Sequence, residues 1–254
     1  MTWDPSQYLG FSDYRLRPAL DLLARIPLKT PNTVVDLGCG AGNVTKHLRN
    51  RWPKAKLVGL DDSMEMLERA RAEAPDIDFA QADAATWRPA EPVNVLYSNA
   101  LLHWLPDHEA LFPRLVDCLA GGGYLAVQMP RNFAAPSHQS LYETVRNGPW
   151  RKRLEPMIRE EPVKDSTFYY ELLSPLVSTL DIWETEYVQV LEGENPVTEY
   201  VKGSWLKPFL DALNQPERNA FEVDYRARVL AYYPPGKNDK TLFPFRRLFI
   251  VAER

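Results

Sequence analysis

The chain has 254 residues and a formal charge of −4, from 30 basic and 34 acidic side chains. That length suits one large domain with appendages and a sizeable core, and the charge gives no whole-chain case for nucleic acid or an anionic membrane. Two cysteines of unlike setting, no apolar run near the ~18 residues a membrane helix needs and no secretion signal lead us to expect a cytoplasmic protein with no metal, disulfide or membrane partner.

Residues 1–14 gather Trp3, Tyr8, Phe11 and Tyr14 around Pro5 and Gly10, an aromatic segment that either covers an apolar edge or forms a lid over a ligand. Residues 15–26 have helical spacing in Leu16, Ala19, Leu20, Leu23 and Ile26, with Arg15 and Arg17 near the start and Pro27 and Pro31 ending it. A strand at 33–37 then runs through Asp36 into glycines at alternate positions, Gly38, Gly40 and Gly42. Glycine is required where φ is positive or where a ligand approaches the main chain too closely for a Cβ. The dinucleotide fingerprint wants glycine at position 43 and no acid before the turn, whereas this chain has Asn43 and Asp36. A pyrophosphate meets Asp36 as a like charge; a ligand bearing an amino group or a sulfonium, as S-adenosylmethionine does, is attracted to it.

A helix through His47 and Leu48 to Trp52 precedes a second strand, Lys56–Asp61, whose acid lies one βαβ step after Asp36. Asp61 is placed to accept two hydrogen bonds from a ribose diol, or else shares helix capping with Asp62 and Ser63 at the start of the helix Met64–Ala74. A short strand, Ile77–Ala80, leads to Asp83, which either receives an adenine amine or serves as a turn acid. The fourth strand, Val93–Ser98, runs into Asn99, Ala100, His103 and Trp104, which belong to a site by their place at a strand's carboxyl end. A helix through Leu111, Leu115 and Leu119 is expected to stop at Gly121–Gly123, followed by a strand at Tyr124–Met129. Regularity lapses over 131–165; a helix at 166–177, a strand at 180–190, two helices over 196–231 around Trp205 and Tyr225, and a last strand at Arg247–Ala252 complete the chain.

Seven strands alternating with helices imply an α/β fold, a Rossmann-like seven-stranded, mostly parallel sheet with helices on both faces. We expect one domain, with its core at about 30–130, 166–190 and 245–254, a helical cap formed by insertions at about 131–165 and 191–240, and the lid at 1–14. Asp36 to Asn43, Asp61, Asp83 and Asn99, taken as a set, resemble the class I S-adenosylmethionine-dependent methyltransferases over roughly residues 30–130. More narrowly, Trp3-x-Pro5-x-x-Tyr8, Trp104–His108, Leu111–Arg114, Leu125–Pro130, Asp181–Trp183 and Arg247–Ala252 resemble the trans-aconitate 2-methyltransferase family. The resemblance implies transfer of a methyl group from S-adenosyl-L-methionine to a carboxylate of trans-aconitate, or of a closely similar small polycarboxylic acid. The products are a monomethyl ester and S-adenosyl-L-homocysteine. It also implies that Gly38, Gly40 and Asn43 shape the cofactor turn, Asp61 holds the ribose, Asp83 the adenine, Asn99 and Ala100 lie near the methionine part, and Met64 and Ala84 are further cofactor-binding residues. Ala41 stands where many members have proline.

A carboxylate of pKa ~4 is already the anion at neutral pH, so this chemistry needs positioning rather than a base. A tricarboxylate in a closed site needs cations, for which arginine is suited. Arg131, directly after the fifth strand, is the leading acceptor contact, among Arg15, Arg17, Arg151, Arg153, Arg246 and Arg247. Arg17 suits the methionine carboxylate equally, with Tyr8, His103, Trp104 and Trp205 as walls or neutral partners. Two other readings stay open: a methyltransferase for a phenol, quinone or amine with His103 as base, and a non-catalytic adenosyl-binding module.

Overall fold

The computed structural model describes residues 12–159 and 161–254. In chain order the elements are α1 (Ser12–Arg25), β1 (Thr33–Leu37), α2 (Thr45–Arg51), β2 (Lys56–Asp61), α3 (Met64–Glu73), β3 (Asp78–Gln81), β4 (Val93–Asn99), α4 (His108–Asp117) and β5 (Leu119–Pro130). They continue with α5 (Pro136–Asn147), α6 (Arg151–Leu154), α7 (Ser166–Leu173), β6 (Thr179–Glu192), α8 (Pro196–Lys202), α9 (Lys207–Asp211), α10 (Gln215–Tyr232) and β7 (Lys240–Glu253). The chain falls into two compact units, one of residues 15–130, 162–185 and 247–254, the other including residues 131–161 and 186–246.

The first unit carries the body of a seven-stranded sheet of order β3-β2-β1-β4-β5-β7-β6. β1 to β5 run parallel and β7 runs antiparallel to β5. Both central strands are buried almost along their length, Val34–Leu37 in β1 and Val95–Ser98 in β4, as a parallel sheet covered on both faces requires. The chain steps outward from β1 through β2 to β3, then returns to place β4 on the other side of β1, which creates a topological switch point between β1 and β4. Gly59 of β2 is needed for close packing, since a Cβ there would lie 2.5 Å from the Phe79 ring. Tyr97 anchors α1 by donating its hydroxyl hydrogen to the Ala19 carbonyl at 2.8 Å.

The glycine triplet 121–123 does not stop a helix. The preceding helix ends at Asp117 and the glycines lie inside β5, where the register against β4 shifts between Val93 and Val95. Gly122 takes φ +72, and a Cβ on Gly123 would crowd the carbonyls of Val93 and Ala120 at 2.9 Å, so the triplet builds an irregular strand entry. In the second unit the stretch after β5 is more regular than its sequence pattern suggests, because Pro136 opens α5, a position where its missing N–H is harmless. Residues 196–231 hold three helices where two were expected, with Trp205 in the turn between α8 and α9. Tyr225 of α10 donates to the Ser137 carbonyl at 3.0 Å, tying α10 to α5. Among the described residues no helix is long and apolar enough to cross a membrane.

Candidate active site

The turn after β1 hangs on β2: the N–H groups of Gly38 and Cys39 both donate to the Leu60 carbonyl, at 2.7 and 2.9 Å. Gly38, Gly40 and Gly42 take φ of +81, +53 and +79, the left-handed conformations that favour glycine. A Cβ on Gly38 would strike Leu101 at 2.7 Å, and one on Gly42 would press Ala70 and Phe79, whereas at Gly40 it would meet nothing within 4 Å among the described residues. The turn is therefore packed on two sides and open at Gly40.

Two carboxylates are drawn to this turn by different routes. Asp61, at the end of β2, accepts from the Gly40 N–H at 2.8 Å and from the Ser63 N–H at 3.0 Å. Burial pushes its pKa up, while those two backbone donors pull it down. The capping work falls to Ser63, whose Oγ accepts from the Met66 N–H. Asp36 is buried and accepts from the Thr45 hydroxyl at 2.6 Å. Burial lifts it to about 7, against the Thr45 hydrogen bond and with the help of the nearby Asp61 charge. Thr45 was not legible as a partner; its one signal is its place at the start of the helix that follows the turn.

Across the switch point, β4 ends at Asn99, whose Oδ1 is buried without a hydrogen-bond partner among the described residues. Ala100 follows at φ +55, a left-handed backbone that a non-glycine residue adopts only under local constraint, with its N–H donating to the Gln128 carbonyl at 2.9 Å. His103 and Trp104 lie in a 3₁₀ turn, Leu102–Trp104, with ring centroids 4.8 Å apart. That turn is pinned by His108, whose Nε2 lies 3.0 Å from the Leu102 carbonyl and whose Nδ1 lies 2.7 Å from the Tyr169 hydroxyl. A carbonyl only accepts, so Nε2 carries the hydrogen and Nδ1 accepts from Tyr169.

The other expected site residues are placed differently. Asp83 is exposed after β3, with Oδ1 accepting from the Ala85 N–H at 2.8 Å, and Ala84 beside it is buried. Met64 is 46% exposed at the start of α3, Asn43 is half-buried in the glycine turn, and Arg17 is exposed on α1. Arg131 and Trp205 belong to the second unit. There the Arg131 N–H donates to the Arg246 carbonyl at 3.0 Å, and Trp205 packs with Phe133 and His138 at 4.9 and 5.5 Å between ring centroids. Trp3, Tyr8 and Phe11 lie outside the described residues.

A family model described as a methyltransferase domain matches residues 34–123, the stretch that holds the glycine turn, Asp61 and the end of β4. The trans-aconitate 2-methyltransferase of Azoarcus sp. is 47% identical over 253 residues, covering 100% of this chain and 99% of that protein. The chain belongs to the trans-aconitate 2-methyltransferase family. A second member, from Rhizobium rhizogenes, is 44% identical with 99% of each chain covered. Among solved structures, the YcgJ protein from Bacillus subtilis superposes with a TM-score of 0.61 at 15% identity, covering 94% of this chain and 98% of that one. A Haemonchus contortus phosphoethanolamine N-methyltransferase 2, solved with S-adenosyl-L-methionine, gives 0.57 at 16% identity over 98% of this chain and 56% of that chain. At such identities the structural likeness speaks for the fold, which is the α/β sheet expected from the sequence. The family match sets the glycine turn, Asp61 and the β4 end within a methyltransferase rather than a nicotinamide enzyme.

Proposed function

We propose that the chain transfers a methyl group from S-adenosyl-L-methionine to a carboxylate of trans-aconitate, or of a closely similar small polycarboxylic acid. The observation that carries this reading is the full-length similarity to trans-aconitate 2-methyltransferases at 47% identity, which runs through both units. The residues present fit the cofactor. Gly40 leaves open main chain at the turn, Asp61 is held beside it with its carboxylate oriented by two N–H groups, and Asn99 offers a buried acceptor without a partner among the described residues.

Asp61 would take the ribose hydroxyls, with Met64 alongside. Asp83 and Ala84 would flank the adenine, Asn99 and Ala100 would hold the methionine amino end, and Arg17 its carboxylate. Asp36 is buried with its Oδ2 accepting from Thr45, and it would favour the cofactor's positive charge when ionised. When bound, the cofactor supplies an electrophilic methyl group to an acceptor oxygen that is already anionic. The chain's task is then to align and desolvate, which is worth roughly 7–11 kcal/mol when geometry is well held. His103 and Trp104 would wall the acceptor, and Tyr8, Arg131 and Trp205 are the further acceptor candidates. The buried thiols Cys39 and Cys118 suit a reducing cytoplasm.

The test is transfer of a labelled methyl group to a panel of tricarboxylic, phenolic and amine acceptors. A base-labile ester on trans-aconitate, formed with saturating cofactor at a rate flat between about pH 6 and 8, is expected because a carboxylate needs no base. Asp61→Ala should weaken cofactor binding by about 1.5–3 kcal/mol in calorimetry through loss of charged hydrogen bonds. Label appearing on a phenol or amine alone would replace this reading with the base-catalysed one.

A further inference from the structure

The cofactor contacts proposed above follow the strand order of the sheet. Asp61 ends β2, the glycine turn follows β1 and Asn99 ends β4, which are three neighbouring strands. The next strand in that direction is β5, where the residue in register with Asn99 is Gln128. Paired residues on neighbouring strands share a face and stand about 4.8 Å apart, so the two amides are side by side within the first unit. The main chain ties them further, since the Ala100 N–H donates to the Gln128 carbonyl at 2.9 Å. Each side chain has one buried polar atom without a hydrogen-bond partner among the described residues, and the two are of opposite sense: Asn99 Oδ1 accepts and Gln128 Nε2 donates. The Gln128 amide is held in that orientation, because its Oε1 accepts from Arg247 Nη1 at 3.3 Å and a guanidinium only donates. A buried N–H with nothing to donate to is destabilising, and at the carboxyl end of a central strand the missing partner is a ligand's acceptor atom. Asn99 calls for a group that brings a hydrogen, as the cofactor's ammonium does; Gln128 calls for a lone pair, as a carboxylate has.

We propose that Gln128 Nε2 donates to one oxygen of the carboxylate that is methylated, and so selects which carboxylate of the acceptor meets the methyl group. A neutral donor suits this role, because it orients the anion without cancelling the charge that makes it a nucleophile. The other oxygen of that carboxylate forms the bond to the methyl carbon while the carbon–sulfur bond breaks and its electron pair stays on sulfur; no proton moves. Gln128 is 0% exposed, so a carboxylate held there is shielded from the water that would blunt its reactivity. The inference rests on the methyl-transfer reading above and adds to it the residue that chooses the reacting group.

The test compares wild-type protein with Gln128→Glu, which keeps the size and the contact to Arg247 but replaces the donor by an acceptor oxygen, and with Gln128→Met, which removes the amide. Calorimetry gives the Kd of S-adenosyl-L-homocysteine and the Kd of trans-aconitate on protein saturated with it; chromatography resolves the ester isomers formed in turnover. Both variants should bind trans-aconitate about tenfold or more weakly, the loss expected for a hydrogen bond to a charged group, with the S-adenosyl-L-homocysteine Kd within about twofold of wild type. The esters should shift from one dominant isomer towards a mixture, a change that a merely structural glutamine does not produce. Melting temperatures show which variants are folded, and if one is not, the other carries the test. In a folded variant, an unchanged trans-aconitate Kd or parallel losses for both ligands would overturn the assignment. So would weaker trans-aconitate binding with the isomer ratio unaltered, which would put Gln128 on a carboxylate that does not react. Wild-type transfer to amines or phenols with none to any polycarboxylate would instead overturn the methyl-transfer reading, and this contact with it.

Discussion

Gly38 and Gly40 both take positive φ, +81 and +53, yet a methyl group added at each would meet different surroundings. At Gly38 it would sit 2.7 Å from Leu101, so Gly38→Ala must displace the start of the β4 loop in addition to straining the backbone. At Gly40 no described residue lies within 4 Å, so among the described residues Gly40→Ala carries the left-handed penalty of roughly 1–2 kcal/mol and little else. If the space at Gly40 belongs to the cofactor, that variant should melt only a few degrees lower yet bind the cofactor at least about tenfold more weakly. Gly38→Ala should show the larger loss of melting temperature. Thermal melts and calorimetry on both variants check this, and a Gly40→Ala protein with unaltered cofactor affinity would mean the ligand lies elsewhere. The alternation of the glycines was legible in the sequence, and so was the acid on either side of them. Which glycine faces packing and which faces open space was not, because that depends on Leu101, some 60 positions away, a distance across which no local pattern speaks. Asp36 was legible as a charge at the turn but not as the acceptor of a Thr45 hydroxyl, since that contact exists only once α2 has folded back against β1.

β1, β2 and β4 could be drawn from sequence almost to their ends because a strand buried on both faces is written as an unbroken apolar run between breakers. The helix α5 was hidden. Its buried positions include Ser137, His138, Ser140 and Thr144, polar side chains that erase the hydrophobic periodicity a helix is read by. The glycine triplet misled for the opposite reason, since glycines mark a strand irregularity as readily as a helix end. Neither pattern reveals how the segment carrying His103 and Trp104 is held, which depends on His108 bridging the Leu102 carbonyl and the Tyr169 hydroxyl of α7. His108→Phe keeps the ring and removes both hydrogen bonds. It should cost about 1–3 kcal/mol of stability, because the buried carbonyl and hydroxyl each lose a partner. If the 3₁₀ turn walls the acceptor, acceptor KM should rise several-fold while cofactor Kd holds. Equal loss of both would show that His108 supports the whole β4 end and not the wall alone.

Two buried groups, one in each unit, should respond to acid with opposite sign. In the first unit, folded Asp36 holds its proton up to about pH 7, whereas the unfolded side chain ionises near 3.8. Between those values the folded state binds the extra proton, so acidification from pH 7 towards 4 favours the folded first unit. In the second unit, burial among Phe133, Trp205 and Ser137 lowers the pKa of His138 to about 3, against 6.5 for an exposed histidine. Between these values the unfolded state binds the extra proton, so acidification from pH 6.5 weakens the second unit by up to about 1.4 kcal/mol per pH unit. The two slopes have similar size and opposite sign, so a global melting temperature should vary little between about pH 6.5 and 4.5 while the units diverge beneath it. Hydrogen exchange, corrected for the intrinsic pH dependence, should show amides of α5 losing protection across that interval while those of β1 and β4 keep theirs. His138→Gln, which cannot take up a proton, should abolish the loss in α5. Equal loss of protection in both units, or an α5 response untouched by His138→Gln, would show that other groups govern the acid behaviour of the molecule.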